Sequence, residues 1–125
     1  MEKQENSLKG KTGLRRVWNA FGYSLSGLCE AYRNEAAFRQ ELLLAAILIP
    51  IALFSKRSGC EKAILVGSVM LVIIVELLNS AVENLTDRVS LEIHPLAKIA
   101  KDLGSAAVLM SLLALVMVWG LIFLG

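Results

Sequence analysis

The chain has 125 residues, 56% of them hydrophobic, a mean hydropathy of +0.62 and a net charge of only +2. That apolar share is high for a water-soluble domain, and no basic run has the density of a nucleic-acid binder. One domain is the most this length accommodates, too little to enclose a large active site, so an enzyme of this size is expected to act as an oligomer. The two cysteines, Cys29 and Cys60, form no CxxC pair, which gives no redox or zinc motif.

Residues 1–13 are polar and charged, a segment read as a flexible N-terminus without the form of a signal peptide. From Leu14 to Arg33, Leu14, Trp18, Phe21, Leu25, Leu28, Cys29 and Tyr32 fall on one face at 100° per residue. This spacing predicts an amphipathic helix over 14–33, suited to the membrane interface, although Gly22 and Gly27 weaken it.

Three apolar blocks follow. Leu42–Phe54 is too short by itself to cross about 30 Å of hydrocarbon, so the first span is placed at about 35–54, bent by Pro50. The second is placed at about 62–85, after a tight turn containing Gly59. The third, at about 102–124, carries no charge beyond Asp102. The connecting segments are 55–62 and 87–102. No period-2 alternation suggests a barrel. The fold class is therefore all-α and membrane-spanning: a surface helix plus three transmembrane helices in a single domain over 14–125. Lys and Arg are concentrated before the first span and in the 87–102 link, which puts the N-terminus in the cytoplasm and the C-terminus outside.

The chemical signal lies in the second span. Glu76, Asn79 and Glu83 stand at i, i+3 and i+7 and share one helical face. A carboxylate in hydrocarbon costs several kcal/mol on insertion scales, so two on one face need a reason. Structurally, each could be held by a polar group of a neighbouring helix. Functionally, they form an oxygen-rich wall for a divalent cation, with Glu83 nearer the headgroups as a magnesium ligand. Glu76, deeper and flanked by Val75, Leu77 and Leu78, is placed as a general base. Glu35 and Glu41 stand at the cytoplasmic start of the first span, and Lys101 and Asp102 at that of the third. Lys101 can neutralise phosphate, while Asp102 can hold that lysine or a ribose hydroxyl. His94 is the only histidine. The small residues Gly104–Ala107 let helices approach closely. Gly10-Lys11-Thr12 lacks the first glycine and the strand of a P-loop.

Three stretches, Asn34–Glu41, Glu76–Glu83 and Ala100–Val108, in this order and on this layout, resemble the prokaryotic diacylglycerol kinase family over roughly residues 14–125. The resemblance implies a homotrimer in the bacterial inner membrane that transfers the γ-phosphate of ATP, with magnesium, to diacylglycerol. It implies Glu76 as the base, Asn79 as a positioning group, and Glu35 and Glu83 as magnesium ligands that trimer assembly would bring together, from one chain or from two. Lys101, Asp102 and His94 then lie at the nucleotide, and Arg16, Glu41 and Ser24 are further polar members of the site. Ile93–Lys98 is similar to a branch that phosphorylates undecaprenol, which leaves that lipid as the alternative acceptor. Outside the family, the same carboxylates fit a small ion or proton transporter subunit, or an assembly subunit in which they only bind partner helices.

Overall fold

The computed structural model describes residues 13–88 and 95–125. Four helices are described: α1 (Gly13–Asn34), α2 (Ala36–Phe54), α3 (Gly59–Asp87) and α4 (Pro95–Leu124). The last three are long and apolar enough to cross a membrane. The chain divides into two compact units, one ending at Asn34 and one comprising Glu35–Gly125.

In the first unit, α1 runs unbroken through Gly22 and Gly27. Their flanks, Phe21, Tyr23, Ser24, Ser26 and Cys29, are weak helix formers, so propensity does not account for the continuity, whereas the apolar face shared along α1 favours it. Trp18 and Phe21 are neighbours at 6.3 Å between ring centroids. Near the helix end, Asn34 Nδ2 donates to the carbonyl and the carboxylate of Glu30.

In the second unit, α3 packs against both α2 and α4, more extensively against α4. Its buried residues, Leu65, Ser68, Val69, Val72, Ile73, Glu76, Asn79 and Ser80, recur every three or four positions and form one stripe. On α2 the buried residues Phe38, Ala45 and Ala52 are seven apart, one every two turns. Small residues set the approach of α4: Ala97 and Ser111 are buried, and Gly104 between them meets Asn79. The three helices alternate in direction. Asp87 meets Lys101 at one end, and Arg57 meets Phe123 at the other.

The Arg57 end is tightly tied. Trp119 Nε1 donates to Ser68 Oγ at 3.1 Å and to the Leu65 carbonyl at 3.3 Å, so its polar edge is satisfied within an apolar layer. The Arg57 guanidinium donates to the Phe123 carbonyl and lies 5.2 Å from the centre of that ring. There it serves both the carbonyl end of the helix and the aromatic face.

Several expected boundaries move. The third spanning helix begins at Pro95 rather than near 102, because hydropathy marks only the lipid-immersed part of a helix, whereas proline at the first helical position is itself a start signal. The second begins at Gly59 rather than 62 and ends at Asp87 rather than 85. Gly59 is thus its first residue and not part of the preceding turn. The start is set by Ser58, whose Oγ accepts from the Glu61 amide at 3.1 Å while Glu61 Oε1 accepts from the Ser58 amide, a capping box. The first spanning helix begins at Ala36, with Glu35 as its N-cap, and continues past Pro50 to Phe54. On α1 the bounds widen by one residue at each end.

Replacing Ser58 with Ala removes the acceptor of that capping box. The expected cost is about 0.5–2 kcal/mol, read as a lower midpoint in thermal or denaturant unfolding of the micelle-bound protein, with its helix content near that of the parent. An unchanged midpoint would refute the role of the cap.

Candidate active site

The polar part of the α3 stripe occupies its C-terminal half. Glu76, Asn79 and Ser80 are only 4%, 8% and 6% exposed, although the helix is otherwise strongly apolar. One turn further on, Glu83 is half-buried, and its Oε1 accepts a hydrogen bond from Asn79 Nδ2 at 3.2 Å. The i, i+4 spacing of these two residues makes the contact a property of the helix itself.

The neighbouring helices bring further charge to this end. Glu41, half-buried on α2, lies close enough to Glu76 for the two carboxylates to repel, and Glu76 also feels Glu83 and Glu35. Glu35 is half-buried in the extended residue that starts α2, and its side chain makes no cap to that helix. Glu76 thus stands nearest the meeting point of four carboxylates from two helices and the start of one of them. Among the described residues, no three His, Cys, Asp or Glu side chains gather closely enough to hold a metal by themselves. Magnesium does not need such a cage, since it keeps water and phosphate oxygens in its shell and takes one or two carboxylates. Glu83, with one oxygen engaged by Asn79, and the uncapped Glu35 fit that requirement.

On α4, Lys101 is half-buried and its Nζ donates to Asp87 Oδ1 at 3.1 Å. Asp102 is exposed and accepts from Lys98 at 2.8 Å. The expectation that Asp102 could hold Lys101 is therefore corrected. Residues one apart on a helix diverge by 100°, whereas Lys98 and Asp102 are four apart and meet. Lys101 is instead held across the helix pair by Asp87.

Arg16 and Ser24 lie exposed on α1, where Ser24 Oγ donates to the Ala20 carbonyl. His94 falls outside the described residues.

Among the described residues, three buried side-chain oxygens at this end have no hydrogen-bond partner: Glu41 Oε2, Asn79 Oδ1 and Ser80 Oγ. Buried polar atoms left in this way are costly, and a cluster of them is unusual in a packed layer. Ser80 was not singled out from the sequence, although it stands four residues after Glu76 and hence on the same face. Asp87, the last residue of α3, is the partner of Lys101 that residue order does not name.

Because Lys101 is about one-third exposed and Asp87 about half exposed, their bridge is expected to contribute little to stability. Asp87→Asn should change the unfolding free energy by no more than about 1 kcal/mol. A loss beyond about 2 kcal/mol in denaturant titration would show that the pair is structural.

Comparison with known proteins agrees with this architecture. The family model described as Prokaryotic diacylglycerol kinase matches residues 22–123. The Diacylglycerol kinase of Pseudomonas aeruginosa is 53% identical over 117 residues, covering 94% of this chain and 95% of its own. Those of Haemophilus influenzae and Escherichia coli K12 are 48% and 46% identical, covering 87% and 86% of this chain and 92% and 88% of theirs. With three apolar helices, a buried acidic face and matches over nearly its whole length, the chain is a multi-pass membrane protein that belongs to the prokaryotic diacylglycerol kinase family.

Proposed function

We propose that the chain phosphorylates diacylglycerol to phosphatidic acid, with ATP as donor and magnesium as cofactor, at the cytoplasmic face of the bacterial inner membrane. The observation that carries the reading is the buried Glu76, set on one face with the Asn79–Glu83 hydrogen bond and approached by Glu35 and Glu41. Family membership favours this over the transporter and assembly-subunit readings. The names of the relatives favour diacylglycerol over undecaprenol.

Depth along α3 suits such a reaction. Counted from Ala63, where the apolar part of α3 begins, Glu76 lies about 20 Å and Glu83 about 30 Å along the axis. With a hydrocarbon thickness of about 30 Å, Glu83 sits at the far boundary and Glu76 about 10 Å, or two helical turns, below it. For its hydroxyl to meet Glu76, the lipid must enter below the headgroup level along the polar face of α3, while a nucleotide approaches from water at the Glu83 end.

In this reading Glu76 accepts the proton of the lipid hydroxyl as its oxygen bonds to the γ-phosphorus. The bond from that phosphorus to the bridging oxygen breaks, and ADP leaves. Phosphoryl transfer depends on positioning and charge neutralisation more than on covalent chemistry. Glu35 and Glu83 would hold the magnesium, which supplies positive charge to the phosphates. Asn79 orients Glu83, and Lys101 turns from Asp87 to a phosphate oxygen. Asp102, His94 and Arg16 are assigned to the nucleotide, and Ser24 and Glu41 to the lipid. The helix α1 lies in the interface with Trp18, Phe21 and Leu25 toward the acyl chains. Basic residues on α1 and around α4's start favour a cytoplasmic N-terminus. The unpartnered oxygens of Glu41, Asn79 and Ser80 support a site completed by substrate and by neighbouring copies in a homotrimer.

The test is labelled phosphate transfer from ATP in mixed micelles, with diacylglycerol and undecaprenol offered side by side. Diacylglycerol is expected to take most of the label. Preferential labelling of undecaprenol would overturn the acceptor, and labelling of neither lipid by folded protein with magnesium would overturn the kinase assignment. Glu76→Gln should lower turnover about 10²–10⁴-fold while leaving thermal unfolding and ATP binding nearly intact. Retained turnover would remove Glu76 from the role of base. Glu83→Gln should raise the magnesium concentration needed for half-maximal transfer, and an unchanged titration would count against it as a ligand.

A further inference from the structure

Six glycines of the spanning and surface helices or their starts can be compared directly. At Gly13, Gly22, Gly27, Gly59, Gly67 and Gly120, a Cβ would meet nothing within 4 Å. Gly104 differs. A Cβ there would collide with Asn79 Oδ1 and come within 3.3 Å of Asn79 Cγ. The space a side chain would fill on α4 is occupied by the amide of α3.

That amide is constrained on both edges. Nδ2 donates to Glu83 Oε1 at 3.2 Å. A reversed amide would set its oxygen against a carboxylate oxygen and lose that hydrogen bond, so the observed orientation is the one that serves Glu83. Oδ1 is left buried without a donor, against Gly104. Asn79 is only 8% exposed, so the amide cannot relieve the contact by turning out into solvent.

We infer that Gly104 is a positioning residue, which by withholding a side chain holds the Asn79 amide in the orientation that presents Nδ2 to Glu83. The inference rests on the reading that Asn79 and Glu83 belong to the active site. Gly104 itself touches neither nucleotide nor lipid. An alanine there would favour the helix as such, so any loss must come from displacing Asn79.

The test uses the full chain in mixed micelles with Gly104→Ala, Asn79→Ala, the double variant, and Gly120→Ala as a glycine control on the same helix. The first readout is the Asn79 side-chain amide resonance in nitrogen-15 NMR, which requires no turnover. Gly104→Ala should move it and Gly120→Ala should not. The second readout is the magnesium dependence of phosphate transfer. Gly104→Ala should raise half-saturation about tenfold or more, the scale of one lost hydrogen bond to a charged group, with no further loss when added to Asn79→Ala. An unmoved resonance, or losses that add in full in the double variant, would overturn the inference. Should Gly104→Ala fail to fold, Asn79→Ala must restore the fold by removing the atoms in the way, and failure to do so also overturns it. A moved resonance with no transfer by the parent protein would sustain the Gly104–Asn79 relation and count against the kinase reading instead.

Discussion

A helix that crosses hydrocarbon cannot leave a carboxylate facing lipid without a large penalty, and α3 carries Glu76 in its spanning part. The rest of the second unit follows from covering that face. Both α2 and α4 pack on α3, and the residues that meet it are chosen for close approach. Phe38 and two alanines lie seven apart on α2, while Ala97, Gly104 and Ser111 do the same on α4. Neither flanking helix needs a strong apolar stripe, because its outer surface is also apolar and faces lipid. Within this unit α3 carries the long buried stripe, mostly apolar in its first half and polar toward its C-terminal end.

The two ends of the layer are built on opposite terms. At the Arg57 end, donors and acceptors are matched: Trp119 to Ser68 and Leu65, Arg57 to Phe123, Ser58 with Glu61. At the Glu83 end, carboxylates repel and three buried oxygens remain unpartnered. Stability is concentrated where no chemistry is assigned, and electrostatic strain where it is. Local consistency is expected to fail at functional sites in this way. The Asn79–Glu83 hydrogen bond, with Gly104 behind it, is the ordered element inside the strained end.

Much of this was legible from residue order. The face shared by Glu76, Asn79 and Glu83 follows from the helical period alone, and three apolar blocks announced three spans. Helix ends were less legible. Hydropathy is blind to the first two turns of α4, where Lys98 and Lys101 continue a helix already begun by Pro95. Contacts between helices were largely invisible, since Gly104 reads as one more small residue until Asn79 is seen beside it, and Lys101 does not name Asp87 as its partner. Ser80 carries no signal of its own in the sequence, since serine in a helix ordinarily bonds back to its own backbone, as Ser68 and Ser111 do here.

Unequal helix lengths give the layer a built-in ruler. At 1.5 Å per residue, the 19 residues of α2 extend about 29 Å, close to the hydrocarbon thickness with nothing to spare. The 29 residues of α3 and 30 of α4 reach about 44 Å and protrude. A four-residue connection ties α2 to α3, so α2 cannot slide to follow a thicker bilayer. Lipids with longer acyl chains would draw Glu35 and Glu41 toward hydrocarbon while Asp87 and Lys101 stayed in water. Bilayer thickness thereby acts on the spacing of charges at one end of the protein, and the acyl composition of the membrane becomes a variable of its electrostatics.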